Sequence, residues 1–329
     1  MNKKIVTILL ISGALFLSAC QKNTDIFVPD PGQVNGPDTT WYNSITATMP
    51  VTALQTSLVI EPLRDSFEVG TSSTSPIILT LSGLQFTFPS HCFVNSAGQI
   101  VTGKIYVDVL LIKKKGDMVQ VNKPTISNGN MLVSGGEIFI RVKQNGQELQ
   151  LAPNARYYIH YIDIPTNSAM KIFFGDESVS GRFNWMPNTN YTTDSVIAGL
   201  QAYEMFTTHL HWINVDYLYD TTGITRSLIS ATLPSNYTNA NTQSFLVFKD
   251  FRSVLGMYGD VPEKRFLSSK VPNGKIATVV AISKQGNDYF LGKETITTGV
   301  NVNTANIQKV LLNPIKTSLA DIKLYLATL

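Results

Sequence analysis

The stretch Ile77-Ile78-Leu79-Thr80-Leu81-Ser82-Gly83-Leu84-Gln85-Phe86-Thr87-Phe88-Pro89 decides the fold class. Ile77, Leu79 and Leu81 fall on one side of an extended chain, Ser82-Gly83 breaks the run, and Leu84, Phe86 and Phe88 resume on alternate positions until Pro89. Residues two apart share a face of a strand, so the stretch reads as two short half-buried strands around a turn. The same period runs outward from it, beginning at residue 45. Ile105, Val107, Val109 and Leu111 form an apolar face with Tyr106 and Asp108 opposite, and 137–143, 156–164 and 170–174 read as further strands. Asn128-Gly129, Gly135-Gly136 and Asn145-Gly146 supply residues that tolerate positive φ, as tight turns require.

Residues 176–201 are richer in Ser, Gly, Asn and Thr, and after them a second set of strands is expected at 203–219, 226–233, 244–248, 275–283 and 289–295. Pro234, Asn273-Gly274 and Gly286-Asn287 separate them. Short strands with regular turn signals predict an all-β protein of two sandwich-like domains, 45–175 and 202–329, joined by a linker at 176–201. The last residues differ. Ser318 with Asp321 three positions on makes a capping box, and Leu319, Ile322, Leu326 and Leu329 recur at helical spacing, which predicts a short closing helix.

The N-terminus has the layout of an export signal: Lys3 and Lys4, an apolar core from 5 to 17, then Leu17-Ser18-Ala19-Cys20. That core is shorter than the roughly 20 apolar residues of a spanning helix, and the polar run Gln21-Lys22-Asn23-Thr24-Asp25 follows at once. Leu-Ser-Ala-Cys resembles the bacterial lipobox, which implies a signal peptide over 1–19, cleavage before Cys20 and lipidation of that cysteine with palmitate-type chains. Several acyl chains on one residue anchor stably without a transmembrane helix. Gln21, in place of aspartate, implies the outer membrane, and Gln-Lys-Asn-Thr-Asp is similar to a weak surface-export signal, so the cell surface is favoured over the periplasmic face. Pro29, Pro31, Gly32, Gly36 and Pro37 make 20–44, the lipidated cysteine included, an extended tether.

Composition narrows the function. Residues 1–19 hold two lysines and no acid, so cleavage leaves 24 basic residues against 23 acidic. No stripe of positive charge remains to hold nucleic acid; Lys113-Lys114-Lys115 reads as a solvated strand end. Charged residues make up 15% of the chain while Thr, Ser and Asn are abundant, the balance of a secreted β protein. Of the two cysteines, Cys20 is the lipidation site, so Cys92 has no disulfide partner and is expected to be a small buried hydrophobe.

The segment 82–89, then Cys92-Phe93-Val94 and Gly98-Gln99-Ile100-Val101-Thr102-Gly103-Lys104-Ile105, resembles the β-sandwich module of ankyrins and netrin receptors, in the form found in Bacteroidetes envelope lipoproteins. Gly116-Asp117-Met118, Leu132-Val133-Ser134-Gly135-Gly136-Glu137-Ile138 and Gly146-Gln147-Glu148-Leu149 extend the likeness. His211-Trp212-Ile213-Asn214-Val215-Asp216-Tyr217 is similar to a second strand of those lipoproteins, with His211 in place of glycine and Tyr217 where arginine is often found. The resemblance implies architecture and location, not chemistry.

No zinc-binding His-Glu-x-x-His helix, nucleophile elbow, phosphate loop or EF-hand is present. On a regular strand His209 and His211 would share a face, and His160 or His91 would complete a zinc-like set. Ile213 and Val215 continue that face inward, so hydrogen-bonded histidines and no metal or other cofactor are expected. Asp216 with Asp220, and Asp163 with Asp176, read as ordinary loop or strand-end acids. Tyr157, Tyr161, Trp212 and Tyr217 are the candidate ligand contacts, because such rings pair an apolar face with a polar handle. The expectation is a non-enzymatic surface lipoprotein acting in adhesion, as an accessory subunit or in binding a protein or glycan. The alternative is a secreted hydrolase with a non-standard site in the C-terminal half.

Overall fold

The computed structural model describes residues 38–70, 75–177 and 183–329; the signal segment, Cys20 and most of the tether lie outside the described residues. The quoted hairpin forms as read, with strands Ile77–Leu81 and Leu84–Phe88 paired antiparallel around Ser82-Gly83. It is one edge of a five-stranded sheet that continues through Tyr157–Ile162, Ala202–Thr207 and Ser195–Ala198. Facing it is an eight-stranded sheet in the order Leu63–Val69, Gly103–Ile112, Asn130–Gln144, His211–Leu218, Lys171–Asp176, Asn184–Pro187, with Ile126–Ser127 and Gln147–Glu148 also paired to the long central strand. Of the alternating faces read from sequence, Leu79, Leu84, Phe86, Phe88, Ile105, Val107 and Val109 are buried, and Ile77, Leu81 and Leu111 pack partly buried against them. Phe86, Phe88, Ile105, Val107, Ile138, Ile140, Ile159, Ile213 and Val215 meet in one core that also holds Cys92. Aromatic and branched side chains fill such an inner face well, which is why they recur at every second position.

A nine-stranded sheet makes up the C-terminal half. Its order is Val271–Pro272, Arg226–Thr232, Arg265–Leu267, Val254–Asp260, Thr242–Phe248, Ile276–Gln285, Asp288–Thr297, Ile315–Thr317, with Ile307–Leu311 joined parallel to Arg226–Thr232. Both faces are buried: Leu246, Phe248, Val279 and Ala281 lie on one, Phe245, Val247, Val280 and Ile282 on the other. Three helices cover the second face. They are α1 (Pro50–Leu58), α2 (Lys115–Gln120) and α3 (Leu319–Leu326), which insert Leu54 and Leu58, Met118 and Val119, and Ile322 and Leu326. The N-cap predicted for α3 is formed, with Ser318 Oγ accepting from the Asp321 backbone N–H at 3.0 Å and donating to Asp321 Oδ2 at 2.7 Å. Gly116 lets α2 touch α3, since a Cβ there would overlap the Leu326 carbonyl.

Four features differ from the sequence reading. Residues 50–58, expected in a period-two region, are helical: Pro50 opens the first turn, and Val51, Leu54 and Leu58 sit on one buried helix face. Residues 203–219 are two strands in different sheets of the sandwich, because the chain corners at Thr208–Leu210 and His211 takes φ +69°. The sandwich therefore runs on to Leu218, and 176–201, expected to be a linker, contributes the strands Asn184–Pro187 and Ser195–Ala198. Finally, Gly135-Gly136 makes no hairpin turn. The pair forms a bulge inside the strand Asn130–Gln144, where Val215 faces Gly136 and Asp216 faces Ser134. A Cβ on Gly136 would lie 2.5 Å from Tyr161 Oη. Helices from the N-terminal half cap the C-terminal sheet, so Thr39–Leu329 clusters as one unit.

Candidate functional site

Directly opposed residues of an antiparallel pair point to the same side, so Ile112, Glu137, Asn214 and Phe173 form one row across the outer face of the eight-stranded sheet. In an isolated sandwich that face would meet water. Here Ile112, Leu110 and Trp212 pack against Phe245, Val247 and Val254 of the C-terminal sheet, and Leu132, Phe173, Phe183 and Trp185 close the other side. Glu137, Asn214 and Asp216 are consequently 0% exposed.

The polar groups sealed there are only partly matched. Ser134 Oγ donates to Asn214 Oδ1 at 3.2 Å, and Asn214 Nδ2 donates to Asp216 Oδ2 at 2.7 Å. Among the described residues, both carboxyl oxygens of Glu137, Asp216 Oδ1 and Trp185 Nε1 have no hydrogen-bond partner. Burial first, and then the neighbouring Asp216, raise the Glu137 carboxyl well above the usual range; Lys123 opposes them. Burial pushes Asp216 up to about 7 against the hydrogen bonds it receives and the charge of Arg252. Arg252 clamps the bulge from the C-terminal half: its Nη1 donates to Gly135 O at 2.6 Å and lies 3.4 Å from Asp163 Oδ2, whose other oxygen is 2.6 Å from Lys113 Nζ.

A groove of about 670 Å³ lies between the two halves, with Lys123 among its lining residues. Lys123, Glu177 and Phe183 line it from the N-terminal half, as do Tyr42 and Gln55, and Gln243, Phe245 and Tyr258 line it from the C-terminal sheet. Tyr42 is fixed by two hydrogen bonds to the Asn239 amide, one of 3.0 Å from its backbone N–H and one of 2.6 Å to its carbonyl. Lys123 connects groove and cluster. Its Nζ lies 2.6 Å from Glu177 Oε1, 4.3 Å from the Phe183 ring centre and 5.3 Å from the Trp212 ring centre. Gln243 Oε1 is buried without a hydrogen-bond partner among the described residues.

The residues singled out from sequence are not brought together. Tyr157 and Tyr161 are 0% exposed in the sandwich core, their hydroxyls donating to His209 O and Gly135 O, so they are structural and reach no ligand. Their odd positions carry them inward, while Tyr158 points outward against Phe206 with ring centres 5.3 Å apart. Trp212 is half-buried beside the groove wall, and Tyr217 is half-buried on the same strand. His209 and His211 do not share a face. His209 stacks on Phe174 and lies 3.4 Å from Asp194 Oδ1, whereas His211 contacts the Glu148 carboxylate. Among the described residues no group of three or more His, Cys, Asp or Glu side chains is placed to hold a metal.

Cys92 is buried as predicted, and burial pushes its thiol up to about 12. Glu137, Asp216 and the groove went unnoticed in the sequence, where Asp216 read as an ordinary acid. Alternation puts both acids on the outward phase, and their burial is created by a sheet more than a hundred residues away from Glu137. No protein family model, curated protein or solved structure matches the chain.

Proposed function

We propose that the chain is a non-enzymatic envelope lipoprotein, tethered to the outer membrane through lipid on Cys20, whose body binds a protein or glycan in the groove between Tyr42 and Lys123. The observation that carries the binding reading is the groove itself, with aromatic rings, amides and a lysine converging on about 670 Å³. Pockets of this size with a few placed polar groups are the usual form of a recognition site. The strand Thr242–Phe248 beneath it is paired on both sides, by Val254–Asp260 and Ile276–Gln285. No strand edge is offered there, so recognition falls to side chains and not to β-strand addition.

The anchoring reading rests on the lipobox-like Leu17-Ser18-Ala19-Cys20 and on the resemblance to envelope lipoproteins. No helix among the described residues is long and apolar enough to cross a membrane. The hydrolase alternative would look to Glu137 and Asp216, since raised carboxyl pKa values often mark catalytic acids. Both are fully buried, which supports the binding reading over the hydrolase one.

The test is to screen the soluble body, residues 21–329, against peptide and glycan libraries and repeat every positive with Tyr42→Ala and Tyr258→Ala. Binding that falls at least about tenfold in both variants supports the groove. Binding untouched by either variant, or none from any library, overturns it.

A further inference from the structure

We propose that Lys123 is a proton-controlled arm of the groove wall, held outward by Glu177 while Glu137 carries a proton and drawn inward to Glu137 when that proton leaves. The geometry places one lysine between two carboxyl groups of opposite character. On the outside, Glu177 accepts from Lys123 Nζ at 2.6 Å, and its side chain is 61% exposed. On the inside, Glu137 is sealed from water, and among the described residues neither of its oxygens is hydrogen-bonded. Trp212, over which the ammonium lies, is opposite Phe139, and the next pair on the same face is Asn214 with Glu137. Diagonal neighbours on a sheet face are roughly 7–8 Å apart, within the swing of a lysine's four-carbon stem.

The balance between the two partners turns on the Glu137 proton. A neutral Glu137 offers the ammonium little, and the pair with Glu177 persists. Once Glu137 ionises, a bare buried carboxylate is far more costly than a broken exposed ion pair, so the cation moves to the buried group. Among the described residues, the other charged groups that act on this carboxyl are reached through Asp216. Asp216 on the adjacent strand disfavours ionisation of Glu137, and Arg252 in turn acts on Asp216. Ile112 and Phe173 in the same row are apolar, and Lys171, opposite Asp216, is exposed. Inward movement would strip Glu177 and the Phe183 face of their cation, leaving the groove wall more negative. That consequence for ligand binding rests on the groove reading; the movement does not.

The experiment needs no ligand. Tryptophan emission and the side-chain ammonium resonance of Lys123 are followed from mildly acidic to mildly alkaline pH in the wild type, Glu137→Gln, Asp216→Asn and Lys123→Met. The proposal expects one transition in both signals of the wild type, with Asp216→Asn retaining it at lower pH. Glu137→Gln should abolish it in both signals, and Lys123→Met should change the emission transition, with circular dichroism confirming that each variant is folded. A transition that survives in Glu137→Gln, one that is lost only in Asp216→Asn, or a wild type with no transition overturns it. If Glu137→Gln fails to fold, the Lys123 resonance of the wild type decides alone, because an ammonium that stays in one environment across the range contradicts the movement.

Discussion

Glu137 stands directly opposite Asn214 in the sheet, yet the amide of Asn214 is committed elsewhere, to Asp216 and Ser134, and among the described residues nothing donates to the Glu137 carboxyl. A buried acid in that position is kept neutral by its surroundings, because desolvation penalises only the charged form.

Stability should therefore depend on pH in an unusual direction. Both Glu137 and Asp216 have folded pKa values above their unfolded ones, which are about 4. The folded state then holds more protons than the unfolded state, and stability falls as pH rises from about 4 through the folded values, which for Asp216 is about 7. Urea midpoints measured across that window should decline towards the alkaline side. Glu137→Gln should flatten the decline and stabilise the protein at alkaline pH by about 1–3 kcal/mol. A midpoint that rises steadily from pH 5 to 8 would refute this assignment.

Arg252→Ala should destabilise by about 1–3 kcal/mol. Among the described residues, the change leaves the Gly135 carbonyl with the Tyr161 hydroxyl alone and leaves Asp163 with Lys113 as its cation. It should also raise the apparent pKa of Asp216, whose charge Arg252 favours. Denaturant titration of the variant at two pH values measures both effects, and a loss within experimental error would show that the clamp contributes nothing.

The native Cys92 thiol should be inert. It is 2% exposed and its pKa is pushed up to about 12, so the reactive thiolate is scarce at neutral pH. Labelling by a thiol reagent should proceed at the rate of unfolding. Labelling within seconds in native buffer would contradict the burial.

Much of the sandwich could be read from local pattern. Phe86 with Phe88 and Val107 with Val109 alternate because each strand presents one face to one core, and Ser318 with Asp321 marks its helix by a contact four residues long. What local pattern lacks is any trace of a distant cover. Leu54 and Leu58 face a sheet about 190 residues further on, and that same sheet turns the outward-phase Glu137 into a buried residue. The corner at Thr208–Leu210 carries neither Gly nor Pro, so nothing in the alternation separates one long strand from two short ones. The candidate site suffered most. The ring chemistry of Tyr157 and Tyr161 suits ligand contact, but the parity of their positions places them in the core.

The central claim is a body held at the outer membrane by lipid on Cys20, and the most direct measurement is the partition of Cys20→Ser between membrane and soluble fractions beside the wild type. On the proposal that Cys20 carries the lipid, the wild type should be processed and membrane-bound, and the serine variant should appear in the soluble fraction or as an unprocessed precursor. A serine variant that is fully cleaved and still sediments with the membrane would contradict the account.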